Sequence, residues 1–394
     1  MSTKDRWLLP DGVEETLPVE ARRLEQLRRA ILDLFERWGY ELVMPPLIEY
    51  LESLQTGVGQ DLDLQTFKLI DQLTGRLMGV RPDMTPQAAR IDAHYLKRDH
   101  VTRLCYLGPV LRTRPDEFAG SREPLQLGAE LYGHAGPESD AEVLSLMVAT
   151  LALAGIPSPH IDVAHVGVFR SLAGRAGFDR AQETELLDAV QRRSKADVEA
   201  LLAQSNTAAT QSRQFLALLD MSGGINTLDH ARRTYGDVPE VLAAIDNLDA
   251  VVQRVRREMP GIELYIDLAE LGGYHYYTGV LFSAFIPARG QAIAKGGRYD
   301  GIGKAFGRNR AATGFGADLR ELLKAGTAST LEVPGIYAPA EDDAALTAEI
   351  QRLRAQGERV VRALPGDRAS AAQLGCDRQL VRKQNRWVSE PVGR

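Results

Sequence analysis

Apolar residues recur along this chain at two distinct periods. Leu24, Leu27, Ile31, Leu34 and Phe35 stand one to four residues apart, a spacing that gathers side chains on one stripe of a helix. The pattern predicts an amphipathic helix from Pro18 to Gly39, with Gly39 as its stop. Tyr40 to Met44 then reads as a strand closed by Pro45 and Pro46. Thr66 to Ile70 and Leu77 to Val80 read as strands about a turn at Asp71–Arg76. A helix from Gln87 to about Leu96 follows. Cys105 to Arg112 is a predicted strand, and Leu125 to Gly133 is its antiparallel partner across a charged, turn-rich loop, Arg114–Pro124. Asp140 to Gly155 reads as a helix and Ile161 to Val166 as a strand.

The character changes at Phe169. Helical patterns dominate to about Met259, broken at Gly177, Gly223–Gly224 and Gly236. Strands return at Leu264–Asp267, Val280–Phe285 and Ala292–Lys295, and Gly314 to Leu323 is expected to enter a helix. Ala325–Thr330 is a short linker of small residues. The tail reads as a compact α/β unit: a strand at Ile336–Tyr337, a helix over Asp343–Ala355, a strand at Arg359–Ala363, a short helix near Ser370–Leu374 and a hairpin from Gln379 to Val388. The expected organisation is a core in two parts, 1–168 and 260–324, a helical insertion at 169–259 and a small C-terminal α/β domain at 331–394. A length of 394 residues suits more than one domain.

Composition narrows the function classes. The chain is 44% hydrophobic and 25% charged, as soluble globular proteins are, and a net charge of −6 argues against a broad nucleic-acid surface. Cys105 and Cys376, the only cysteines, make neither a disulfide framework nor a zinc site and suit a reducing cytoplasm. Met1 to Gly12 lacks the apolar run of a targeting signal. Leu144 to Ala154 is too short to span a bilayer and reads as a buried helix. There is no Walker A sequence, no Gly-x-Ser-x-Gly and no zinc-spaced His/Cys cluster. Neither a metal nor a cofactor is expected, and His94, His134 and His165 read as structural.

Chemistry concentrates between Glu263 and Phe285. Two apolar alternating runs flank Gly272 and Gly273, then Tyr274, Tyr276 and Tyr277 offer apolar bodies with hydroxyl ends. Such a stretch suits a small polar ligand held against a sheet, and equally a buried aromatic hairpin. Gly273 to Phe282 resembles the second histidine-specific signature of histidyl-tRNA synthetases, with Gly272 at the family's catalytic arginine and His275 at its aspartate. Further signatures occur in family order over most of Leu9–Leu323. The Pro18–Pro46 helix and strand are similar to the first class II motif, which makes the dimer interface in that family.

The resemblance implies a fold of the α+β class: a mostly antiparallel sheet of class II synthetase type, flanked by helices. It also implies a histidine pocket. Arg81-Pro82-Asp83-Met84-Thr85 resembles the segment whose acid and threonine hold the α-amino group, a charged acceptor being well suited to an ammonium. Gln126 and Glu130 match the pair that faces the amino acid, and Tyr276 and Tyr277 line the pocket. Arg112 matches the arginine of the second class II motif. Gly296 to Gly301 matches a further segment, expected to form a floor under the pocket.

The groups that would handle ATP depart from the family. Adenylation needs preorganised positive charge at the α-phosphate, and losing one such donor costs ~10²–10³ in rate. Here Gly272 replaces one arginine and Arg114 replaces an adenine-reading glutamate. The third motif, Gly314 to Leu322, carries Arg320-Glu321 where the family has Glu-Arg. On a helix that shift turns the arginine by about 100°. No catalytic residue is therefore expected.

A retained pocket without its activating groups resembles the regulatory subunits of short-form ATP phosphoribosyltransferases, a family of histidyl-synthetase paralogues. That resemblance implies a non-catalytic subunit required for the first step of L-histidine biosynthesis and mediating feedback regulation by histidine. Its partners would be the short-form catalytic subunit, L-histidine, and itself as a homodimer within a hetero-oligomer. No membrane or tRNA partner and a cytoplasmic location are expected. The alternatives are a divergent histidyl-tRNA synthetase and a stand-alone synthetase-like histidine sensor.

Overall fold

In the computed structural model, which describes residues 7–56, 60–115, 120–286, 290–327 and 334–393, the chain forms two units, Met1–Ala328 and Ser329–Arg394. Residues 1–6, 116–119 of the charged loop, 328–330 of the linker and 331–333 at the start of the tail lie outside the described residues.

The strands of the first unit are β1 (Glu41–Leu42), β2 (Ile48–Tyr50), β3 (Phe67–Ile70), β4 (Leu77–Val80), β5 (Thr102–Pro109), β6 (Leu125–Tyr132), β7 (His160–His165), β8 (Ser222–Gly223), β9 (Leu264–Asp267), β10 (Val280–Phe285), β11 (Ala292–Arg298) and β12 (Ala312–Asp318). Nine of them make one sheet in the order β1-β5-β6-β12-β11-β10-β7-β9-β8, and β2-β4-β3 make a smaller one. In the large sheet β1 with β5 and β7 with β9 run parallel, and the other pairs are antiparallel.

Alternation decides which face each strand shows. Cys105, Leu127, Ala129, Leu131, Phe282, Ala294 and Phe315 point to one side and join the main core. The helix Pro137–Leu153 supplies Val143, Leu144, Leu146, Met147 and Leu151 to the same core, and it is buried almost all round. The helix Pro18–Arg37 adds its stripe of Leu24, Leu27, Ile31 and Phe35, each fully buried apolar side chain contributing about 1.5–3 kcal/mol. The core continues through the helices between Val166 and Glu258, including Val198, Phe215 and Val251. Strand β10 is buried on both sides, from Val280 to Ala284, so its sequence carries no polar face.

Several boundaries differ from the sequence reading. Gly314 lies in strand β12, and the helix begins only at Leu319, capped by Asp318. The alternation of Gly314, Phe315 and Gly316 is a strand pattern, pairing with Ala129 and Glu130 on one side and Gly296 and Gly297 on the other. The strand beginning at Thr102 stops at Pro109, and Arg112 keeps a single bridge to Thr66. The helix after Asp83 starts at Thr85, with Pro86 in its first turn, and continues as a π-helical segment over Ile91–Leu96.

The second unit contains β13 (Gly335–Ala338), β14 (Val360–Arg362), β15 (Cys376–Lys383) and β16 (Arg386–Pro391), ordered β14-β13-β15-β16. A helix, Ala344–Ala355, is capped by Asp343 and contributes Leu346, Ile350 and Leu353 to a core with Ile336, Val360, Leu380 and Trp387. The expected short helix near Ser370 is a set of turns ending at Gly375, whose φ of +64° leaves the helical region.

Candidate functional site

The side of the large sheet opposite the main core is built differently. Cross-strand pairing places Tyr106 beside Gly128, and Glu130 beside Gly314. Both glycines are required by close approach. A Cβ at Gly128 would overlap the Tyr106 ring, and one at Gly314 would overlap the Glu130 carboxylate. The polar side chains therefore lie across the sheet rather than standing off it.

Glu130 is buried, with 1% exposure. Tyr106 donates its hydroxyl to Glu130 Oε1 at 2.8 Å, and Tyr299 donates to Oε2. The Tyr106 hydroxyl also meets Thr85 Oγ1 at 2.8 Å. Asp83 Oδ1 accepts from the Thr85 amide at 2.9 Å and from Gln126 Nε2 at 2.6 Å. Gln126 Oε1 in turn accepts from the Met84 amide at 2.8 Å. Asp83, Thr85, Gln126 and Glu130, named from separate parts of the sequence, thus belong to one hydrogen-bonded chain.

Burial pushes the Glu130 carboxyl up to about 8, against the two tyrosine hydrogen bonds that favour its ionised form, and the nearby Asp83 charge adds to the rise. The Tyr106 and Tyr299 hydroxyls are held well above the ordinary tyrosine range, first by burial and then by the Glu130 charge.

Tyr276 and Tyr277 close the other end. The Tyr276 ring stacks on Tyr299 with centroids 5.1 Å apart and 17° between planes, and its residue is 43% exposed. Tyr277 meets it edge-on at 5.2 Å and packs over Gly297. Arg112 stands at the opposite end, its Nε donating to the Pro82 carbonyl at 3.2 Å, beside Asp83.

Tyr106 and Tyr299 are the residues that sequence reasoning did not assign. Tyr299 lies within the matched Gly296–Gly301 segment, where its hydroxyl donates to Glu130. Only the register of β5 against β6 reveals Tyr106.

The positions matched to ATP-handling groups look different. Gly272 is exposed in the loop before β10, its amide bonded to Glu270 at 3.0 Å. Arg114 is exposed. Arg320 is turned to the N-terminal segment, where it donates to Thr16 Oγ1. Glu321 pairs with Lys324 at 3.4 Å. Among the described residues no group of three or more His, Cys, Asp or Glu is placed to hold a metal ion.

Comparison with known proteins identifies the family. The histidyl-tRNA synthetase family profile matches residues 12–322, and the profile for the ATP phosphoribosyltransferase subunit HisZ C-terminal domain matches 333–390. The chain is 52% identical to the ATP phosphoribosyltransferase regulatory subunit of Thioalkalivibrio sulfidiphilus, over 98% of this chain and 99% of the relative. It is 53% identical to that of Pseudomonas putida over the whole of both chains. A solved ATP phosphoribosyltransferase regulatory subunit/histidyl-tRNA synthetase from Bacillus halodurans superposes with a TM-score of 0.82 at 27% identity, covering 93% of this chain and 95% of that one. The histidyl-tRNA synthetase of Nostoc sp. PCC 7120 shares the fold, with a TM-score of 0.79 at 20% identity over 98% of this chain and 97% of that one. A synthetase-like body followed by the C-terminal domain of the regulatory subunits, at this identity over full length, places the chain in the family of ATP phosphoribosyltransferase regulatory subunits.

Proposed function

We propose that this chain binds free L-histidine in the Glu130 pocket and reports it to a short-form ATP phosphoribosyltransferase catalytic subunit, without activating the amino acid itself. The observation that carries this is the continuous network Gln126–Asp83–Thr85–Tyr106–Glu130–Tyr299. Asp83, Thr85 and Gln126 form an end suited to an α-ammonium group, with Arg112 beside them. Glu130 and the tyrosine pair form an end suited to an imidazole, which can exchange a hydrogen bond with the carboxyl and lie against an aromatic ring. A ligand's group needs both ends to be prepaid in geometry, and these side chains are already fixed by one another.

Regulation follows if the assembly has two states and histidine binds the less active one more tightly, since a ligand with equal affinity for both shifts nothing. A coupling of ~1–3 kcal/mol is typical. We also propose a homodimer through the first-motif region, where Leu42, Met44, Leu47 and Ile48 are exposed, and the helical insertion 169–259 as a subdomain of the core. A cytoplasmic location fits a chain in which no described helix is long and apolar enough to cross a membrane.

Reconstitution tests the reading. Adding this chain to the catalytic subunit should raise its rate of ATP phosphoribosylation, and histidine should then inhibit. A catalytic subunit equally active and equally histidine-sensitive alone would refute the proposal. Histidine-dependent exchange of pyrophosphate into ATP by the chain should stay at background.

A further inference from the structure

The tyrosine pair sits on an irregular loop between β9 and β10, and such a loop must find partners for its own backbone groups. Some are local: the Tyr274 amide donates to Leu271 at 2.9 Å, and the Tyr276 and Tyr277 amides donate to Gly273 at 2.8 and 2.9 Å. Gly273 has φ of +79°, which lets the turn close on itself. The Thr278 amide reaches the Arg298 carbonyl at 2.6 Å.

The carbonyls of Tyr274 and Tyr277 are served from elsewhere. Arg170, on the helix Val166–Ala176, donates from Nη2 to both, at 3.1 Å each. Its guanidinium lies 4.9 Å from the centre of the Tyr274 ring, and Phe169 meets that ring edge-on at 5.3 Å. The Tyr274 hydroxyl donates to Glu183 on the next helix, Arg180–Gln191. A single charged donor thus fixes both the residue that anchors the loop and the residue that faces the pocket. Charge-assisted hydrogen bonds from a rigid guanidinium hold such geometry better than neutral ones.

We infer that Arg170 is a positioning residue for the histidine pocket: it sets the pose of Tyr276 and Tyr277 by clamping the carbonyls of Tyr274 and Tyr277 to the first helix of the insertion. The inference rests on the pocket assigned above. Arg170 touches backbone rather than ligand, so its effect must pass through the tyrosines.

Calorimetric titration of histidine into the full chain tests it. Arg170→Met keeps an apolar stem over Tyr274 and removes the donor. Affinity should fall on the order of tenfold, and the melting temperature of the ligand-free chain should drop with the loss of the two hydrogen bonds. Arg170→Lys, which keeps a charge and donors, should recover part of the loss, and it carries the test if the Met variant does not fold. In a Tyr277→Ala background the same Arg170 change should cost less than it does in the wild-type chain, with the remainder passing through Tyr276, because coupled residues are not additive. Wild-type affinity in the Arg170 variants, or an undiminished loss in the Tyr277→Ala background, overturns the positioning role while the pocket stands. Wild-type affinity in both Tyr277→Ala and Glu130→Ala overturns the pocket, and the inference with it.

Discussion

Around Glu130 the side chains of Asp83, Tyr106, Gln126 and Tyr299 are committed to neighbours in one network, whereas around Gly272, Arg114 and Glu321 the side chains are missing, exposed or turned to local partners. Both regions hang on the same sheet and match the same family signatures. The difference is in what each must do. Recognition of a small polar ligand depends on groups held in place before the ligand arrives. Activation of that ligand depends on positive charge aimed at a phosphate. In this chain the residues matched to the first arrangement are joined by hydrogen bonds, and the second holds a glycine and an acid at two of its positions.

The comparison is sharpest in the folding energy of the empty chain. Burial pushes the Glu130 carboxyl up to about 8 in the folded chain, from an ordinary value of 4.5. A raised folded pKa stabilises fully below the free value, and that stabilisation is lost as pH rises through the folded one. Glu130 should therefore contribute a decline in unfolding free energy between about pH 4.5 and 8, opposed below about pH 6.5 by His165, whose pKa burial lowers to about 4. Urea unfolding of Glu130→Gln at pH 5, 6.5 and 8 should show a much flatter decline. An identical slope would mean that Glu130 is ionised and satisfied in the empty pocket.

Next in size is ligand affinity. Glu130→Ala removes the shared acceptor of Tyr106 and Tyr299 and should weaken histidine by about 10²-fold, because it leaves two buried hydroxyls and the ligand's ring without a partner. Gln126→Ala leaves the Met84 amide without its acceptor and Asp83 with only the Thr85 amide as donor, and should cost about tenfold by calorimetry. The smallest effects belong to the other region. Glu321→Ala and Arg114→Ala should each change histidine affinity less than about twofold. A large loss from either would show that the two regions act as one site.

Much of this division is legible in the sequence, because the residues on the ligand side occur as short motifs whose order survives. Asp83 with Thr85, Gln126 with Glu130, and Tyr276 with Tyr277 each lie within five residues of their companions. The contributions of Tyr106 and Tyr299 depend on strand register, which brings residues 24 and 169 positions from Glu130 onto its two oxygens. No local pattern encodes that distance. Arg170 is hidden for the same reason, reaching over a hundred positions to the tyrosine loop. The third motif misled through its composition. Leu319, Leu322 and Leu323 carry a helical period, but Gly314 and Gly316 before them are strand residues, and Gly314 is kept small by the Glu130 carboxylate and the Ala129 carbonyl.

A crystal structure of the chain with histidine, alone or with its catalytic partner, tests the central claim most directly. The account predicts the α-ammonium within hydrogen-bonding distance of Asp83 and Thr85, and the imidazole between Glu130 and the Tyr276–Tyr277 pair. Histidine bound elsewhere, for example between subunits, with the Glu130 pocket empty at saturating ligand, would contradict it.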